Sequence, residues 1–327
     1  MLMVIGLHCN YVSLGIPTEH TLSANTFGEC LRIVIENACL VSVNVYVLIS
    51  GYFGIHLKAE KVFRYLFQVF FFASIVVLFA VFLYDEDLSY KEIAQFYYSY
   101  FSFNWFVSSY FALLLLAPLV NSFVDKNNTK IIVKMVLLFF FVDSFLGYLL
   151  PNIKGIGALN GYSLLHVLFV YSIGRLLYVI RNSICYKSFL FYFGLFIACV
   201  LINSVISIFL YIGVTQKWNP IAYNNPFVVM GAVFFFLIFL KLKIRNNHFV
   251  NVLATSAFAA FLIHANSLNY PHFIQWNTNI YHNSSGLIMF CLFIFLAILI
   301  YIFAFLINQI QIKCYSFFRL LWGKFFL

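Results

Sequence analysis

The sequence predicts an all-α integral membrane protein: about ten transmembrane helices in one bundle, with the carboxyl terminus cytoplasmic. Three observations predict it. The 327 residues are 64% hydrophobic and only 9% charged, whereas a soluble domain carries about 25% charged residues. Apolar runs recur along the whole length, which excludes a soluble domain with one anchor. The basic residues fall in short clusters between those runs, alternating from side to side.

Ten apolar stretches are read as helices, because an isolated strand cannot satisfy its backbone in lipid and the runs are too long for barrel strands. Residues 1–16 form the first, which stops at Pro17 and is short of the ~20 residues that span a bilayer. This shortness reads as a first helix whose start is missing. No basic n-region or small-residue cleavage site marks a signal peptide. The second stretch, 33–56, closes on Ser50-Gly51-Tyr52-Phe53, a small-residue pair suited to close helix approach. The third covers 65–84. The fourth, 105–124, contains Pro118, where a kink is expected. Stretch 131–150 ends at Pro151, and 162–180 runs out through Arg175 and Arg181. The last four are 188–212, 226–241 opening at Pro226, 252–270 closing at Pro271, and 285–311. Residues 1–327 therefore read as a single polytopic domain, without internal repeat or soluble appendage.

Orientation follows from lysine and arginine. With the first helix leaving outward near Gly15, the inner segments hold Lys58, Lys61, Arg64; Lys126, Lys130, Lys134; Arg175, Arg181, Lys187; Lys241, Lys243, Arg245; and Lys313, Arg319, Lys324. Only Arg32, Lys91, Lys154 and Lys217 remain outside, a split of fifteen to four among the 19 basic residues. That asymmetry fixes the alternation. It also disposes of nucleic acid as the partner of the +9 net charge, since the charge forms no continuous basic face. Long outer segments are expected as loops at 18–32, 85–104, 213–225 and 271–284. Tyr97, Tyr98, Tyr100, Phe101, Phe103 and Trp105 cluster at one boundary, as interfacial anchors or as a surface for sugar rings. The seven cysteines, Cys9, Cys30, Cys39, Cys185, Cys199, Cys291 and Cys314, show no paired spacing, so no metal site or disulfide framework is suggested.

Polar residues inside the apolar runs carry what chemistry there is. His8 interrupts Val4-Ile5-Gly6-Leu7, and an ionisable residue at that depth faces a partner or a cavity. Asp143 is a lone carboxylate in the fifth stretch and needs a partner. Tyr162 and His166, four apart, suit a hydrogen-bonded pair. His264 lies in Ala259-Ala260-Phe261-Leu262-Ile263-His264, and Glu36, with Arg32 one turn earlier, is expected to form an interfacial ion pair. Lys58, Lys61 and Arg64 recur every three residues at the inner mouth, where they set topology or hold an anionic cofactor.

Several stretches, in order, resemble the acyltransferase 3 family of integral-membrane enzymes. These are Val41 to Phe53 (VSVNVYVLISGYF), Asn104 to Asn121 (NWFVSSYFALLLLAPLVN), Gly161 to Arg175 (GYSLLHVLFVYSIGR) and Ala259 to Ser267 (AAFLIHANS). The resemblance implies an O-acyltransferase that carries an acyl group, usually acetyl, from cytoplasmic acetyl-CoA to a hydroxyl of a surface or exported glycan. It implies a multi-pass protein of the bacterial cytoplasmic (inner) membrane, no metal, and separate polysaccharide-biosynthesis partners. The family's first helix carries a basic residue, ten intervening positions and an essential histidine. His8 matches that histidine, and the basic residue would fall before Met1.

A histidine of reference pKa ~6.5 suits the deprotonation of a hydroxyl. Asn44, Ser50 and Tyr52 are candidates for the oxyanion or for positioning the acceptor. Lys58, Lys61 and Arg64 are candidates for the cofactor, and Trp105, His166, Arg175 and His264 are secondary candidates. Direct transfer and a covalent acyl relay both fit these residues. A transporter or flippase of lipid-linked saccharides fits the same helix count.

Overall fold

The computed structural model describes residues 1–102, 104–150, 157–184, 187–212, 218–242, 245–284 and 286–322. Phe103, Pro151, Lys154, Cys185, Lys217, Lys243 and Lys324, used in the sequence reading, lie outside the described residues. Among the described residues the secondary structure is helical throughout, with no strand.

In chain order the main helices are α1 (Leu2–Val12), α2 (Glu19–Ala24), α3 (Thr26–Phe53), α4 (Ala59–Leu83), α5 (Tyr90–Ser102), α6 (Trp105–Lys126), α7 (Thr129–Leu149) and α8 (Leu164–Val179). They continue with α9 (Phe189–Tyr211), α10 (Pro226–Lys241), α11 (His248–His264), α12 (Asn269–Asn283) and α13 (Gly286–Trp322). Among the described residues, six helices are long and apolar enough to cross a membrane, or seven if α11 and α12, bent by 93° at a short break, count as one span. Large apolar side chains face outward from these helices, among them Phe82, Leu138, Leu190, Phe209 and Leu306. Such a surface is at home only against lipid.

Three segments expected as outer loops are helical. Residues 18–32 contain α2 and the start of α3, 85–104 contain α5, and 271–284 belong to α12. The missed signals were local caps. Thr18 and Thr21 form a reciprocal capping box at α2, and the hydroxyl and N–H of Ser89 both donate to Glu92 Oε2 at α5. Those two bonds hold the Glu92 carboxyl below its usual range. The aromatic cluster of α5 divides accordingly: Phe96 and Tyr100 turn inward, Tyr98 outward.

The chain forms two compact units of interleaved segments. One contains Met1–Gly15, Lys58–Ser108 and Arg245–Leu327; the other contains Ile16–Leu57 and Ser109–Ile244.

In the first unit, α1 packs on α13, and α11 packs on both α4 and α13. Ile5 and Cys9 of α1 meet Phe273 and Ala297 in its core. The break after α11 exposes carbonyls that a continuous helix would satisfy internally. Side chains take them over. Tyr100 Oη donates to Leu262 O at 2.7 Å, Asn269 Nδ2 to Ile263 O at 2.6 Å, and Asn104 Nδ2 to Ala265 O at 3.3 Å. Asn266 donates to Leu262 O and Ile263 O and accepts from the N–H groups of Leu268 and Asn269. A broken helix at this depth is tolerated only with such replacements.

In the second unit, α3 is the centre, packed by α8, α9 and α10, with α7 against α8. The α3–α8 crossing depends on two glycines. A Cβ at Gly51 would meet Tyr171 O, and one at Gly174 would lie 2.8 Å from the Gly51 Cα. The Ser-Gly pair thus does the packing expected of it. Gly51→Ala is expected to force these backbones apart and destabilise the protein by about 1–3 kcal/mol, as overpacking does. Thermal unfolding in detergent would measure it, and an unchanged midpoint would contradict the crossing.

Candidate active site

Two histidine-centred hydrogen-bond chains occupy the interior, one in each unit.

In the first unit, α1 changes from α-helical to π-helical winding at His8, the wide turn running His8–Val12. π-helical turns are rare and occur often at functional sites. His8 is half-buried, and its Nδ1 lies 2.9 Å from Nε2 of His264, which is buried. His264 is the last residue of α11, so the helix break places it. Its Nδ1 contacts Ala260 O. A carbonyl can only accept, so the His264 proton sits on Nδ1 and its Nε2 is the acceptor. The proton between the rings therefore belongs to His8 Nδ1. The chain runs from His8 to His264 to Ala260, and it leaves His8 Nε2 with a lone pair. Tyr270 packs edge-on against the His8 ring, 5.5 Å between centroids.

In the second unit, Asp143 lies in the π-helical second half of α7, Phe141–Leu149. Its Oδ2 is 2.8 Å from Nδ1 of His166, and His166 Nε2 is 2.9 Å from Oδ1 of Asn44. Asn44 Nδ2 donates to Tyr223 O at 3.0 Å, which fixes the amide with its oxygen toward the imidazole. His166 Nε2 accordingly carries a proton, and a second proton is shared between Nδ1 and Asp143 Oδ2. All three side chains are buried, Asp143 completely. The partner of Asp143 is thus His166. The ring nitrogens of His166 go to Asp143 and Asn44, so the Tyr162–His166 pair expected from their spacing is replaced; Tyr162 packs on Tyr223 instead, 5.1 Å between ring centroids.

The other sequence candidates are distributed as follows. Ser50 Oγ donates to Tyr46 O and contacts Tyr110 Oη, both at 3.0 Å. Tyr52 sits among the rings of Phe53, Tyr178 and Phe236. Arg175 is nearly buried; its Nη2 bonds Asp125 Oδ1 at 3.2 Å and its guanidinium packs over Tyr178. Trp105 opens α6, edge-on to Phe106. Lys58 is the residue before α4, and Lys61 and Arg64 lie in its first turns, all three exposed. Arg32 pairs with Glu29 through both carboxylate oxygens. Sequence reasoning named Glu36 as the partner of Arg32 and missed Glu29, and it missed Tyr270 beside His8. Among the described residues, no group of three or more His, Cys, Asp or Glu is arranged to hold a metal.

These features define a multi-pass α-helical membrane protein with a paired-histidine site in one unit and an acid–imidazole–amide chain in the other. Comparison with protein-family models, curated proteins and solved structures yields no match to this chain.

Proposed function

We propose that the protein is a membrane O-acyltransferase, moving an acetyl group from cytoplasmic acetyl-CoA to a hydroxyl of a surface or exported glycan. The observation that carries this reading is the His8–His264–Ala260 chain. It holds one imidazole nitrogen as a proton acceptor in the first helix, at the position where the resemblance to the acyltransferase 3 family puts an essential histidine.

In the reaction, His8 Nε2 takes the acceptor's hydroxyl proton as its oxygen attacks the thioester carbonyl. The new C–O bond forms, the C–S bond breaks, and the departing CoA thiolate recovers the proton from His8. Atoms and charge balance without a metal or a redox partner. As positive charge develops on His8, the Nδ1–H bond to His264 stabilises it, a general-base arrangement with an orienting partner.

The ten-span topology belongs to the same reading. The six long helices, the bent α11–α12 pair and the three shorter apolar helices α1, α8 and α10 correspond one to one with the ten apolar stretches. Read as ten spans, the fifteen-to-four charge split supports a cytoplasmic carboxyl terminus, and the bacterial inner membrane is what the family resemblance implies. Lys58 and Lys61 then stand at the inner mouth, where the phosphates of the acyl donor would arrive, while Arg64, grouped with them in the sequence, lines a pocket beside Arg319 of α13.

Membrane vesicles given labelled acetyl-CoA and the cell's glycan test the reading: label should enter the glycan with the native protein and not with His8→Ala. Absence of transfer by the native protein would remove the proposal. Replacing Lys58 and Lys61 by Ala should raise KM for acetyl-CoA several-fold with kcat little changed; an unaltered KM would exclude that patch. A saccharide transporter is the second reading, favoured by the buried Asp143–His166 pair, since such pairs mark proton pathways in membrane carriers. It calls for loss of the glycan itself from the surface instead of loss of its acetyl groups.

A further inference from the structure

The first unit contains a pocket between α4 and α13 that the proton transfer at His8 does not require. It has a volume of about 660 Å³ and is lined by Glu60 and Arg64 of α4 with Tyr315, Ser316, Arg319 and Leu320 of α13. Two guanidiniums face one carboxylate. Arg319 Nη1 bonds Glu60 Oε1 at 3.0 Å, while Arg64 has no hydrogen-bond or ion-pair partner among the described residues. The pocket therefore carries an unneutralised guanidinium, the group best suited to a phosphate.

Its apolar border identifies what kind of phosphate. Leu320 is 76% exposed, and Phe317 and Leu321 beside it on α13 are 65% and 54% exposed. These side chains continue the lipid-facing surface of the helix. At 37 residues, α13 is about 55 Å long, well beyond a hydrocarbon core of ~30 Å, so its ends reach headgroup depth. Arg64 and Arg319 both belong to the basic side of the membrane, where anionic lipids attract such residues. A ligand that satisfies guanidinium, hydroxyl and exposed leucine together is amphipathic.

We propose that this pocket binds an anionic phospholipid, its phosphate between Arg64 and Arg319 and an acyl chain along Leu320 and Phe317. Glu60 is then a competitor for Arg319 that the phosphate displaces. The proposal stands apart from the acyl-transfer reading, and its test needs no turnover.

Protein purified in a neutral detergent is titrated with phosphatidylglycerol or phosphatidylcholine while thermal unfolding is followed. Phosphatidylglycerol should raise the midpoint well beyond phosphatidylcholine, and Arg64→Gln with Arg319→Gln should abolish the difference. Glu60→Gln should enlarge it, because the competing carboxylate is gone; this variant decides the matter should the double substitution fail to fold. Equal shifts from the two lipids, a difference retained in the double variant, or a Glu60→Gln response no larger than native would each overturn the proposal. Added CoA distinguishes the other source of phosphate: if it reproduces the shift and competes with phosphatidylglycerol, the site takes a nucleotide and not a lipid.

Discussion

Substituting His8 by Ala is expected, on the proposed acyltransferase reading, to lower acetyl transfer by about 10²–10⁴-fold, the usual contribution of a positioned general base, while the protein remains folded in the membrane. Folding should survive because His8 is only half-buried and its loss leaves His264 Nε2 as the one unpaired acceptor. On the same reading His264 acts through His8 as a positioning residue. His264→Ala should reduce kcat with little change in KM for acetyl-CoA, since the imidazole of His8 would lose the acceptor that selects its tautomer. His264→Gln keeps an oxygen able to accept from His8 Nδ1 and should recover part of that loss. A purely structural His264 would instead lower the amount of folded protein and show no such split or rescue. Full activity in His8→Ala, measured as label transferred per folded molecule, would end the assignment.

How far the sequence could be read depended on the range of the interaction. His8 was legible because a single imidazole interrupts an apolar run, a local contrast. Its partner His264 lies 256 residues away, and nothing in the spacing of AAFLIHANS announces that the helix breaks there. The break is made by Tyr100, Asn104, Asn266 and Asn269 taking up freed carbonyls, which only the assembled unit reveals. The need of Asp143 for a partner was evident from its place as a lone carboxylate inside an apolar stretch. The identity of that partner was not, since His166 and Asn44 come from different helices. Gly51 shows the opposite case: a small residue beside Ser50 near a helix end signalled close packing, and Gly174 supplies the other half. The outer segments were misjudged because hydropathy describes what enters lipid, while the short caps at Thr18 and Ser89 decide what is helical outside it. Apolar stretches were therefore located well, and amphipathic helices between them were overlooked.

Asp143→Ala is expected to destabilise the protein by about 3–5 kcal/mol, the cost of stranding one member of a buried ionic pair. The geometry makes the two groups interdependent. Asp143 Oδ1 has no hydrogen-bond partner among the described residues, so the carboxyl group depends on His166 for its side-chain hydrogen bonding. His166 depends in turn on Asp143 at Nδ1, because Asn44 already takes the proton on Nε2. Without the shared proton, lone pairs would face each other across 2.8 Å, and α7 and α8 could not stay in register. Replacing both groups by apolar ones, Asp143→Leu with His166→Phe, should cost much less than the two single changes added together, since no buried group is left unpaired. A thermal-unfolding double-mutant cycle reads this coupling. Single variants each within about 0.5 kcal/mol of native, the range of inconsequential surface changes, would show that the chain does not hold α3, α7 and α8 together. Should the double apolar variant be stable and still acetylate the glycan, the pair serves the fold; if it is stable but silent, the proton shared by Asp143 and His166 takes part in function, and the second unit is more than a scaffold.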